Sequence, residues 1–135
     1  MPTLTRWFLK AAILYLLFAL VAGIALAFPA AGTISGFFPA YFHMLTFGWL
    51  TQLIFGVAFW MFPKYSPSNP RGLEWLGWAT FILLNTGLIL RIIFEPLNAT
   101  APSLLSSWAL IVSATFQWLS GVSFVFNTWT RVKEK

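Results

Sequence analysis

Apolar residues in this chain do not alternate with polar ones. They run on in long stretches, broken by short clusters of proline, glycine, serine and charge. A helix that crosses a bilayer takes about 20 mainly apolar residues. Four stretches reach that length, at about 7–28, 40–62, 74–95 and 104–130. Apolar runs this long without period-2 alternation exclude strands. The connections hold Pro29, Gly32 and Gly36 in the first, Lys64 to Arg71 in the second, and Pro96, Asn98 and Pro102 in the third. Pro63 and Pro96 are expected to end the second and third helices, because proline cannot continue one. Short links place neighbouring helices antiparallel. The expected fold is an all-α transmembrane four-helix bundle with antiparallel neighbours, formed as a single domain over residues 1–135.

Charge sets the direction. Arg6 and Lys10 precede the first span, Lys64 and Arg71 lie in the second connection, and Arg131, Lys133 and Lys135 follow the fourth. Four crossings put all seven on one side, so the positive-inside rule makes both termini cytoplasmic, and the bias fits the cell inner (plasma) membrane as the expected location. The first span has a basic start and the small-residue stretch Ala25-Leu26-Ala27, as a signal peptide does. Its apolar run is longer than the 7–15 residues usual there, and its removal would strand the charge pattern, so it is read as a true span. Five of the eight Trp (Trp7, Trp60, Trp75, Trp78 and Trp129) lie near the basic ends of the spans, and Trp108 lies near an opposite end, as an interfacial belt does. Trp49 and Trp118 sit deeper.

Composition narrows the chemistry. Apolar residues make up 59% and charged residues 8%, against roughly 25% charged in soluble domains. This excludes a soluble enzyme or a disordered tail, and the +5 net charge lies at helix ends, so no nucleic-acid partner is expected. Cysteine is absent and His43 is the single histidine. Disulfides, thiol redox chemistry and any metal site needing two histidines from one chain are therefore excluded. Multidrug antiporters of this size need a carboxylate in the first span, and two-haem four-helix cytochromes need at least four histidines. Neither requirement is met. Asn98-Ala99-Thr100 matches a glycosylation sequon but lies so close to the membrane that it is read as chance.

Polar residues inside the spans are costly in lipid and become the candidates for function. His43 lies about 5 Å from the outer end of the second span, and Arg91 about 6 Å deeper than Glu95 on the third. Arg91 and Glu95, one helical turn apart, are placed to pair. Gln52, Asn85 and Gln117 lie about 15–20 Å in, near mid-membrane. They suit interhelical hydrogen bonds that hold the bundle in register, or a polar path for a proton or small solute. Gly48, Gln52 and Gly56 form one small-residue stripe, and Ser113, Gln117, Ser120 and Gly121 another. Gly23 and Gly87 offer further close approaches. His43 has three open roles: a hydrogen-bonded interfacial residue, a proton carrier, or an axial haem ligand and so a metal ligand. Phe42, Phe47, Trp49, Phe55 and Phe59 crowd its helix, and Arg91 at matching depth suits a haem propionate.

The stretch His43-Met44-Leu45-Thr46-Phe47-Gly48-Trp49, continuing through Gly56-Val57-Ala58-Phe59-Trp60-Met61-Phe62-Pro63, resembles the second helix of haem–copper oxidase subunit I and its nitric oxide reductase relatives. Asn85 to Arg91 with Glu95-Pro96 is similar to the third span of short, four-helix members of that superfamily. The resemblance covers about half the chain. It implies that His43 matches the low-spin haem ligand, and that haem b is the cofactor if there is one. It also implies a departure. The family's second low-spin ligand, copper histidines and catalytic-haem histidine have no counterpart here, so this chain alone builds no catalytic centre. The second axial position is then empty, filled by Met44, which points to another helix face, or filled by His43 of a symmetry mate. Three readings stand side by side. One is a haem-associated protein for electron transfer or gas sensing. Another is a cofactor-free accessory or assembly subunit of a respiratory membrane complex. The third is a small transporter. The expected partners are the lipid bilayer and either a homo-oligomer or a larger membrane complex.

Overall fold

The computed structural model describes residues 1–132 except Thr33, Ser68, Asn69 and Thr130, and excludes the side chains of Ala31 and Gly32. Lys133 and Lys135 of the predicted basic flank, Thr130 at the predicted end of the fourth span, and Ser68 and Asn69 of the second connection lie outside the described residues. Among the described residues, four helices are long and apolar enough to cross a membrane: α1 (Thr3–Leu26), α2 (Phe37–Met61), α3 (Glu74–Thr100) and α4 (Leu104–Trp129). A single helical turn, Pro29–Gly32, lies between α1 and α2.

The ends are set by local chemistry. Gly36 precedes α2 with φ at 82°, a left-handed conformation open to glycine. It must also be small: a Cβ there would stand 2.7 Å from the Glu95 carbonyl oxygen. Phe62 turns to extended backbone and closes α2. At the start of α4, Ser103 Oγ accepts the Ser106 N–H at 3.1 Å while Ser106 Oγ accepts the Ser103 N–H at 3.1 Å, a reciprocal cap that satisfies two otherwise free donors.

Two boundaries differ from expectation. Pro96 does not end the third helix; α3 runs through it to Thr100. Proline is tolerated inside membrane-spanning helices where neighbouring groups re-satisfy the backbone it frees. Thr100 Oγ1 donates to the Pro96 carbonyl at 2.9 Å and helps hold this last turn. The second departure lies inside α2. Met44–Thr51 is a π-helix, between α-helical segments Phe37–His43 and Gln52–Met61. Thr51 Oγ1 reaches back five residues to the Thr46 carbonyl at 2.8 Å. Gly48, in the middle of the π segment, is buried against α1: a Cβ there would stand 2.7 Å from Tyr15 Cγ and 3.0 Å from Leu88 Cδ2.

Packing joins the helices in sequence. α1 lies on α2 through Gly48 against Tyr15 and Gly56 against Phe8. α3 lies on α4 through two buried hydroxyls: Ser113 Oγ donates to the Gly87 carbonyl at 2.6 Å and Ser120 Oγ to the Thr80 carbonyl at 2.8 Å. Gly87 and Ser113 therefore act as the close-approach positions expected of them. Gly121 does not, because nothing stands within 4 Å of a Cβ built there. Leu4, Phe8, Phe59 and Leu84 form one core cluster, with Phe8 edge-on to Phe81 at 5.0 Å. Phe55 stacks on Phe124 at 3.9 Å and brings α2 to α4. Outward positions are large and apolar, among them Phe18, Val21, Trp118 and Phe126, as a lipid-facing surface requires.

Candidate functional site

The polar residues of the spans gather into two groups. The first is at the His43 end. Gly36 seats the start of α2 on Glu95 and Pro96 of α3, and this contact brings His43 to Glu95. His43 Nδ1 lies 2.8 Å from the Pro39 carbonyl, one turn back on its own helix. A carbonyl can only accept, so Nδ1 carries a proton in this bond, and in the tautomer with a single ring proton the lone pair is on Nε2. The same Nδ1 stands 3.4 Å from Glu95 Oε2, and Arg91 Nε stands 3.6 Å from Glu95 Oε1. The Arg91–Glu95 pairing expected from one-turn spacing is present. The His43–Glu95 contact was not foreseen, because no pattern within one helix tells which residue of another helix will face it. Arg91 Nε and Glu95 Oε2 are buried without a hydrogen-bond partner, so the three side chains are held by charge and proximity more than by directed bonds. Phe47 stacks on the His43 ring at 5.8 Å.

The second group lies at mid-depth. Gln52, fully buried, and Asn85 exchange two hydrogen bonds at 3.2 Å, Gln52 Nε2 to Asn85 Oδ1 and Asn85 Nδ2 to Gln52 Oε1. Asn85 Nδ2 also donates to the Phe81 carbonyl at 2.8 Å. Gln117 stands apart: its Nε2 donates to Ser113 Oγ at 3.3 Å on its own helix. Among the described bonds, the three amides do not join into one file across the bundle.

A groove of about 640 Å³ opens between α1 and α3, with Met44 and Phe37 of α2 in its wall and Tyr15, Phe18, Ile89 and Ile93 along its sides. That volume suits a small-molecule site. His43 is not among its lining residues. A flat ring ligated by His43 would therefore lie outside this groove, beside Phe47, which stacks on the imidazole. One imidazole nitrogen, Nδ1, is held by the Pro39 carbonyl, with the Glu95 carboxylate nearby at 3.4 Å. The expected propionate partner, Arg91, is already turned to Glu95. Among the described residues no group of three or more His, Cys, Asp or Glu could hold a metal ion.

A third polar feature was missed by sequence reasoning. Arg131 is 1% exposed. Its Nε donates to the Pro63 carbonyl at 3.0 Å, and Nη2 donates to the Phe59 carbonyl at 3.0 Å and the Phe62 carbonyl at 2.9 Å. The guanidinium also lies over the Phe59 ring, at 5.6 Å. A cation that binds the last carbonyls of a helix closes its free acceptors and meets the negative end of its dipole. In the sequence Arg131 is one cation of a terminal basic flank, and nothing marks it as the cap of another helix. Compared with protein-family models, curated proteins and solved structures, the chain matches none.

Proposed function

We propose that this chain is a small integral membrane protein with both termini on the cytoplasmic side of the cell inner membrane and antiparallel neighbouring helices. Support comes from the contacts that place the start of α1 against the end of α2, Phe8 beside Phe55, and from Arg6, Lys10, Lys64, Arg71 and Arg131, all near that end. Its functional group is His43, acting as an axial ligand of haem b at a contact with a second subunit, in electron transfer or gas sensing. The observation that carries this reading is the orientation of the imidazole: Nδ1 is held by the Pro39 carbonyl at 2.8 Å and faces Glu95 at 3.4 Å, which leaves Nε2 as the donor. The π-helix that begins at the next residue adds weight, since such segments concentrate at functional sites. So does the resemblance of the His43–Pro63 stretch to the second helix of oxidase subunit I. Haem would supply the redox or gas-binding chemistry. The chain's own part is to orient the imidazole, through the Pro39 carbonyl and the nearby Glu95, and to shield one face with Phe47.

The test is a reduced-minus-oxidised visible spectrum of protein purified in detergent after expression with ample haem, beside the His43→Ala variant. Soret and α bands that vanish in the variant are the expected result. A folded wild type without colour would sink the proposal. One observation favours a second reading, a cofactor-free accessory subunit of a respiratory membrane complex: Arg91 is taken up by Glu95 at 3.6 Å and leaves that propionate position without its cation. Co-purification of a colourless chain with a larger complex would select this reading.

A further inference from the structure

Away from the His43 end, α1 and α3 meet: Phe8 stands edge-on to Phe81 at 5.0 Å, and Leu4 and Phe8 share a core cluster with Leu84. Toward the His43 end the two helices part, and the groove of about 640 Å³ lies between them. Its α1 wall is a single stripe, Ala11, Tyr15, Phe18, Ala22 and Ala25, whose spacing of four and three residues keeps one helix face turned inward. The three alanines of that stripe leave space that larger side chains would fill. The foot of the groove is at Ala11, one turn past Phe8, and at Asn85, next to Leu84. Its mouth is at Ala25, beside the last residue of α1, and at Phe37, the first residue of α2.

Helical rise makes the groove about 21 Å long on α1, from Ala11 to Ala25, and about 12 Å long on α3, from Asn85 to Ile93. Half of a typical hydrocarbon core is about 15 Å deep. The groove thus has the depth of one leaflet, with its mouth at helix ends and its foot near mid-membrane. Spread over those lengths, its volume gives a section of roughly 30–50 Å². A helix is about 10–12 Å across with its side chains and needs roughly twice that section. A single hydrocarbon chain fits, since packed carbons stand about 3.5–4.0 Å apart.

The walls say which part of a lipid enters. No charged residue is among the lining residues, and Tyr15 and Asn85 are the polar ones. Asn85 spends both amide N–H donors, on Gln52 and on the Phe81 carbonyl. A headgroup therefore meets no ionic partner inside and stays at the mouth. The open side of the groove is continuous with the lipid-facing surface, because Leu14, Phe18 and Val21 line the one and are exposed on the other. A chain lying on that outer surface touches protein on one side. A chain in the groove touches α1, α2 and α3 together, and supplies the dispersion contacts that unfilled walls lack.

We infer that this groove holds one acyl chain of a phospholipid from the leaflet on the His43 side, as a bound lipid between α1 and α3. The inference rests on the chain lying in a bilayer and is independent of His43 and of haem.

The experiment counts the phospholipid that the full chain retains. Protein in neutral detergent is loaded with dioleoylphosphatidylcholine or dioleoylphosphatidylglycerol, washed in lipid-free detergent and weighed intact by native mass spectrometry. Ala11→Phe and Ala25→Phe fill the foot and the mouth. Ala114→Phe, at an exposed position of α4, adds the same bulk away from the groove. The wild type and Ala114→Phe should keep about one phospholipid per chain with either headgroup, because the acyl chain is what the groove holds. The lipid-bearing fraction should fall about tenfold or more in Ala11→Phe and Ala25→Phe. Circular dichroism checks that each variant is folded, and Ala11→Leu or Ala25→Leu replaces one that is not. A wild type that washes free of lipid overturns the inference. So does equal retention by filled and control proteins, retention of one headgroup alone, or a free fatty acid or second copy of the chain retained in place of phospholipid. A colourless protein that keeps its phospholipid refutes the haem proposal alone.

Discussion

Replacing Asn85 by Leu in α3 removes one partner of a reciprocal amide pair and leaves Gln52 buried with two empty hydrogen-bonding positions. The two bonds measure 3.2 Å each, and Gln52 has no exposed surface. Interhelical hydrogen bonds inside a bilayer are worth about 0.6 kcal/mol on average and up to about 1.7. Two of them give a coupling of about 1–3 kcal/mol. The single variant also carries the cost of the orphaned Gln52 amide, about 1–3 kcal/mol. Asn85→Leu and Gln52→Leu should each destabilise by about 2–4 kcal/mol. The double variant should fall well short of the sum, because removal of both partners leaves nothing unsatisfied. Asn85 keeps its bond to the Phe81 carbonyl in the Gln52→Leu variant, so that change should be the milder of the two. The assay is a double-mutant cycle on reversible unfolding in mixed micelles. A coupling below about 0.3–0.5 kcal/mol, the usual error of additivity, would refute the claim that this pair holds α2 and α3 in register.

Four further outcomes are expected. Arg131→Gln should destabilise by about 2–4 kcal/mol, because it frees the carbonyls of Phe59, Phe62 and Pro63 from charge-assisted bonds. Arg131→Lys should recover only part of that in the same unfolding assay, since an ammonium has no planar fork. Gly48→Ala should cost about 1–3 kcal/mol by overpacking, as its Cβ would meet Tyr15 Cβ at 2.8 Å. Gly121→Ala should instead gain about 0.5–1 kcal/mol from helix propensity, since open space surrounds it. An equal response of the two glycine variants would contradict the packing described for the π segment.

The four helices were legible because an apolar run of that length has few other uses. The Arg91–Glu95 pairing was legible because one-turn spacing on one helix is a local matter. Helical rise sets Gln52 and Asn85 at similar levels of their helices, and the structure shows that they meet each other while Gln117 does not join them. What sequence could not show depends on contacts between helices. No residue pattern announces a π-helix at Met44–Thr51, which forms where Gly48 is pressed on Tyr15. Pro96 looks like a stop until Gly36 of another segment is seen packed on it. His43 meets Glu95 only because that packing brings the two helices together. Gly121 shares the spacing of Ser113 and Ser120 yet faces open space, because a stripe of small residues does not say which side a neighbour takes.

The cap on α2 also has a consequence in time. A chain made on a ribosome delivers its segments in order, and Pro63 precedes Arg131 by 68 residues. At the usual ~5–20 residues per second, synthesis takes roughly 3–14 s to cover that interval. Through that interval the last turn of the second helix has its carbonyls but not the guanidinium that closes them. Two more spans must emerge first. Insertion of α2 and completion of α2 are therefore separate events, and a ribosome that stalls between them leaves a membrane-borne intermediate whose second helix is still open at one end.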